Sequence, residues 1–143
     1  MRRIALLLVA AAAVADAPKL PAPNDMIAAN PTDAKFNPAK VEGMPPGPMG
    51  APIAVDPNTK ASIAYAKIPG GYTLPMHWHS HEEASVFISG AGTLTMDGKP
   101  YDLVPGSLVV IPPKTHHMLK CAAGSDCLIL TRRAGPTDYN WVK

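Results

Sequence analysis

Three of the five histidines, His77, His79 and His81, fall within five residues and are followed at once by Glu82 and Glu83. The other two, His116 and His117, are adjacent and lie about forty residues further on. Neutral imidazole offers a lone pair near neutral pH, which makes histidine the commonest metal-binding side chain. Two tight groups beside carboxylates therefore predict one metal site built from two strands. Residues two apart on a strand face the same way, about 6.5–7 Å apart. His77 and His79 thus present two imidazoles to one side while Trp78 faces the other. His117, on a later strand, can supply a third nitrogen and a carboxylate the fourth ligand. Such a set suits divalent Fe, Mn, Co, Ni, Cu or Zn rather than Ca or Mg, which prefer oxygen shells. On an ion that takes six ligands, two positions stay open for substrate, water or dioxygen; on tetrahedral zinc the shell closes.

The elements that must hold these residues are short strands. From Ala61 onward, turn signals recur every 6 to 12 residues. The pattern predicts strands at Ser62–Ile68, Tyr72–His79, Ala84–Ser89, Gly92–Met96, Lys99–Val104, Ser107–Ile111, Thr115–Cys121 and Cys127–Arg132. Asp97-Gly98 is the dipeptide of a two-residue type I′ hairpin. The run Leu108-Val109-Val110-Ile111 reads as a strand covered on both faces. Many short strands with Gly and Pro turns, and no helical stripe, predict an all-β sandwich or barrel.

The histidine motif carries a family resemblance. Gly71, five residues, His77-x-His79, three residues, Glu83, six residues and Gly90 match the first motif of the cupin superfamily without a gap. The second motif is matched by Gly106, Pro112 and His117, with Lys114 standing for its glycine and Cys121 for its asparagine. A lysine tolerates positive φ less well than glycine. The chain resembles small single-domain bacterial cupins over about residues 63–132. The resemblance implies a double-stranded β-helix, a jelly-roll-like barrel of two facing antiparallel sheets. It implies His77, His79, Glu83 and His117 as the metal ligands, selecting Glu83 over Glu82 and His117 over His116. His81 is then an exposed or outer group, with a substrate-facing acid/base or an alternative ligand as its competing roles.

The remaining organisation follows from composition. Arg2 and Arg3, the apolar run from Ile4 to Ala13 and the small residues Ala13-Val14-Ala15 read as a signal peptide over residues 1–15, cut before Asp16. Its apolar run is well short of the roughly 20 residues that span a bilayer. Cleavage leaves 11 basic and 11 acidic residues, which carries no footprint of nucleic-acid or membrane-surface binding. Ten of the 17 prolines lie between Pro18 and Pro57, so residues 16–60 are expected to form an extended arm. The barrel is placed at 61–133 and a tail at 134–143. In an oxidising compartment Cys121 and Cys127 are expected to pair as a disulfide. The destination is periplasmic or secreted. A small domain with sheet edges to cover and an arm to exchange is expected to be a homodimer. Two functions compete. One is a metal-dependent enzyme on a small organic molecule, of oxygenase type, with an isomerase or lyase as a variant. The other is a non-catalytic protein that binds or senses a metal or small ligand.

Overall fold

The computed structural model describes residues 19–143, so the expected signal peptide lies outside the described residues. The described residues form eleven strands: β1 Asn37–Pro38, β2 Met49–Val55, β3 Ser62–Ile68, β4 Thr73–Trp78, β5 Glu83–Ser89, β6 Gly92–Met96, β7 Lys99–Leu103, β8 Leu108–Ile111, β9 His117–Cys121, β10 Cys127–Arg133 and β11 Asn140–Trp141. Among the described residues there is no helix, and none long and apolar enough to cross a membrane. The strands form a six-stranded sheet, β1-β2-β3-β10-β5-β8, and a five-stranded sheet, β11-β4-β9-β6-β7. Every pairing is antiparallel. The all-β barrel expected from the turn spacing is the fold observed.

Alternation along the strands fills the space between the sheets. Ile68, Phe87 and Ile129 from the first sheet meet Leu74, Leu94 and Leu119 from the second in one buried cluster. Each such side chain withdrawn from water contributes on the order of 1.5–3 kcal/mol. Asp97 and Gly98 both take positive φ, 45° and 79°, as the β6–β7 hairpin requires. Gly90 is needed for space: a Cβ there would sit 2.5 Å from the Asp126 carbonyl oxygen. Cys121 and Cys127 are disulfide-bonded and fully buried, and they join β9 of one sheet to β10 of the other.

Two sequence expectations are corrected. The ordered sheet starts before residue 61, because Met49–Val55 pairs along β3. Small residues and Pro52 hide the strand pattern there. Pro52 is tolerated because β1 reaches only Met49 and Gly50, which leaves the missing N–H on a free edge beside a register shift. The second correction concerns β8. It is an edge strand with alternating exposure rather than a strand covered on both faces. Val109 and Ile111 point into the core, while Leu108 is 66% exposed and Val110 48%. The described proline-rich residues ahead of β2 form several turns and touch the barrel. Tyr65 Oη donates to the Ala29 carbonyl and Tyr72 Oη to that of Pro45.

Lys114 adopts the left-handed conformation, φ 64°, at the position where the resemblance expects glycine. Its N–H donates to the His79 carbonyl at 2.8 Å and ties the β8–β9 turn to the end of β4. The left-handed region costs a side-chain-bearing residue about 1–2 kcal/mol, against roughly 0.5–1 kcal/mol of extra chain entropy lost by glycine. K114G is expected to stabilise the fold by about 0.5–1 kcal/mol, read as a rise in urea midpoint at unchanged slope.

Candidate metal centre

His77 sits near the end of β4, His79 just beyond it, and His117 opens β9 directly opposite His77 in the register. All three are buried, with relative exposures of 0%, 3% and 3%. Each ring has its Nδ1 against a backbone carbonyl: His77 on Pro75 at 2.6 Å, His117 on Thr115 at 2.9 Å, and His79 on Asp138. A carbonyl can only accept, so each Nδ1 carries the proton and each Nε2 a lone pair. One ligand atom from each of the three rings fits within 4.8 Å of the others.

Glu83 begins β5 and stands beside this trio. Its Oε2 is 3.2 Å from His79 Nε2. Its Oε1 accepts from Ser85 Oγ at 3.0 Å, and Ser85 meets Thr131 Oγ1 at 3.0 Å. Oε2 also forms an ion pair with Arg133 Nη2 at 2.6 Å. His77 Nε2 is a buried acceptor without a hydrogen-bond donor, while Glu83 Oε2 has Arg133 as its partner. Buried polar atoms left unpaired are uncommon and ask for an explanation. A cation among the three imidazoles would supply it, since their ligand atoms lie within 4.8 Å of one another. The donor set of imidazoles and a carboxylate fits a divalent transition metal, and the carbonyl contacts are the outer support that metal-binding histidines usually have.

The electrostatics agree. Burial, helped by the neighbouring His117, pushes His77 down to about 3. Burial likewise lowers His117. Burial would raise the Glu83 carboxyl, yet Arg133 and the histidines hold it well below the usual carboxylate range. At neutral pH the site thus offers neutral rings and an ionised carboxylate.

Of the other candidates, His81, Glu82 and His116 are exposed. The His81 ring instead packs on Gly135, where a Cβ would come within 2.6 Å. Three contributors were missed by sequence reasoning. Arg133 is paired with Glu83 across the β10–β5 register; its parity with Ile129 and Thr131 was the available signal. Tyr139, from the tail, lies with its ring centre 5.0 Å from that of His77 and 4.9 Å from that of His79. It accepts a hydrogen bond from Arg133 Nη2 at 3.1 Å. Asp138 supports His79 through its carbonyl, and its carboxylate accepts from Ser80 N–H and Oγ–H. Neither tail residue sits in a periodic pattern, so no sequence signal marked them. Behind the histidines a cavity of about 70 Å³ runs into the apolar core.

The comparisons with known proteins fit this geometry. Residues 64–131 match the family model of the cupin domain, Cupin_2. The barrel is a cupin domain. An uncharacterized protein of Methanocaldococcus jannaschii is 34% identical over 64 residues, 44% of this chain and 51% of the relative. The chain thus spans about half the length of the curated relative it matches. Among solved structures, the polyketide cyclase RemF of Streptomyces resistomycificus superposes with a TM-score of 0.68 at 17% identity, covering 83% of this chain and 87% of that one. A cupin 2 conserved barrel domain protein of Rhodopseudomonas palustris gives 0.63 at 22% identity, over 78% and 79%. A predicted oxalate decarboxylase of Thermotoga maritima gives 0.65 at 17%, over 75% and 97%. At these identities the likeness concerns the fold. The cupin domain carries three histidines within metal-binding distance, which suggests a divalent metal.

The lowered His77 and His117 values carry a stability consequence for metal-free protein. The unfolded chain takes up these protons as pH falls below about 6.5, while the folded chain takes them up only at lower pH, so stability is lost on acidification through that window. Urea unfolding of metal-free protein should show ΔG falling from pH 6.5 toward pH 4 by up to about 1.4 kcal/mol per unit for each histidine. H77Q should flatten the slope; an unchanged slope in H77Q would contradict the assignment.

Proposed function

We propose that this cupin is a metal-dependent enzyme acting on a small organic molecule, of oxygenase type, with His77, His79, Glu83 and His117 as its metal ligands. The observation that carries the reading is the convergence of three imidazoles whose ligand atoms lie within 4.8 Å of one another, with His77 Nε2 buried without a donor and Glu83 Oε2 3.2 Å from His79 Nε2. A divalent ion bound there supplies Lewis-acid and template chemistry. The chain's own residues do the rest. The carbonyls of Pro75, Asp138 and Thr115 fix the tautomers and aim the rings. Tyr139 covers the histidines and keeps bulk water from them. Phe87, Leu94 and Ile129 line an apolar wall that orients a bound molecule. An isomerase or lyase on the same residues is the variant reaction class.

A second reading, a protein that binds or senses a metal and small ligand without turnover, is supported by the modest cavity, about 70 Å³, under the Tyr139 cover. Elemental analysis of native protein, followed by oxygen uptake with a panel of diketones, thiols and phenols, separates the two. The enzyme reading expects metal-dependent uptake with at least one compound. Bound metal with no turnover across the panel favours the binding reading. H117A should weaken metal affinity by more than the roughly 10–100-fold typical of losing an outer support. E83Q should weaken it as well if the carboxylate is a ligand.

Export to the periplasm or beyond belongs to the same reading, supported by the Cys121–Cys127 disulfide, a bond that persists in oxidising compartments. So does a homodimer. On the outer face of the six-stranded sheet, Leu108 and Val110 of edge strand β8 stand opposite Val86 and Ala84, and Ile88 follows on the same face. A second copy seated there would cover both the apolar face and the edge. Light scattering at micromolar concentration should give twice the chain mass, and V110E should give the chain mass alone. A wild-type monomer overturns the dimer.

A further inference from the structure

The guanidinium of Arg133 is the least expected group in the cavity. Glu83 and Arg133 are the charged side chains that line it. Most of the remaining wall is apolar, including Leu74, Phe87, Leu94, Leu103 and Ile129. Arg133 Nη2 serves Glu83 and Tyr139, but Nε–H is buried with no acceptor. A buried charged donor without a partner is costly, and an arginine presents its donors as a planar fork suited to carboxylates.

The charge count points the same way. The histidines are neutral, and Arg133 cancels Glu83, so the described lining sums to zero. A divalent cation then leaves two uncompensated positive charges in a largely apolar interior, where such an excess is poorly tolerated. A neutral molecule leaves that excess in place; an anion reduces it. The cavity also limits size. At about 10–15 Å³ for each water-sized group, 70 Å³ has room for about five.

We propose that Arg133 makes this cavity selective for small carboxylate anions of about four to six non-hydrogen atoms, its Nε–H donating to a carboxylate oxygen while the bound cation shares the charge. The inference rests on the metal reading above and adds the substrate class. Arg133 is then a specificity residue as well as the partner of Glu83.

The test uses the full chain loaded with cobalt(II), whose visible absorption reports both metal occupancy and the arrival of an anion beside it. Acetate and pyruvate are titrated against their neutral isosteres acetamide and pyruvamide, and citrate serves as an oversized carboxylate. Wild-type protein is expected to respond to acetate and pyruvate, at least about tenfold more tightly than to the amides, and not to citrate. R133Q, compared at saturating cobalt because Arg133 also supports Glu83, is expected to lose about tenfold or more in pyruvate affinity. R133K, which keeps the charge without the fork, should recover part of that loss. Equal affinity for acids and amides in cobalt-loaded wild type overturns the proposal without needing a variant. So does an R133Q protein that keeps both cobalt and full pyruvate affinity. Absence of any cobalt signal in wild type overturns the metal reading itself and this inference with it, which keeps the two failures distinct.

Discussion

Three hydrogen bonds from imidazole Nδ1–H groups to backbone carbonyls set the character of this molecule. Each fixes a tautomer, and together they turn the Nε2 lone pairs of His77, His79 and His117 toward one point. Without them the rings could rotate or exchange protons, and the buried site would lose its direction. The carbonyls come from three places: Pro75 and Thr115 lie two residues before the rings they support, and Asp138 lies in the tail. The barrel must therefore hold the ends of β4 and β9 in register and also bring back a segment nearly sixty residues away. The sheet pairings and the β11–β4 contact meet that demand.

Glu83 is the second constraint. A carboxylate with so little exposure survives ionised because both oxygens are engaged: Ser85 on one and Arg133 on the other. Breaking a buried pair by removing one member is far more harmful than replacing both, since it strands a charge. Arg133 and Glu83 are thus bound to each other's fate, although they lie fifty residues apart. The strand pairing of β10 with β5 makes them neighbours.

Much of this was legible in the residues. Period-two spacing placed His77 and His79 on one face, turn signals marked most strand limits within a residue or two, and the Asp97-Gly98 hairpin has the positive φ values its type demands. What stayed hidden was non-local. Arg133 reads as one half of a surface Arg-Arg pair until the sheet order is known. Tyr139 and Asp138 follow Gly-Pro-Thr, which looks like a loose end. Leu108 and Val110 gave a continuous apolar run that suggested a central strand, whereas β8 lies at an edge and exposes both. β2 escaped because Pro52 suits a strand only where no neighbour needs its N–H. In each case local chemistry was read correctly, and position in the sheet decided its meaning.

The placement of the disulfide has a mechanical meaning. Cys121 closes β9 and Cys127 opens β10, whereas His117 and Arg133 occupy the opposite ends of those two strands. The two sheets are therefore riveted covalently at the end away from the histidines. Around the histidines the contacts between them are non-covalent, among them the Arg133–Tyr139 hydrogen bond and the approach of Glu83 to His79. The histidine end thus has no disulfide tie between the sheets, so it falls to those weaker contacts to resist an opening wide enough to admit a small molecule.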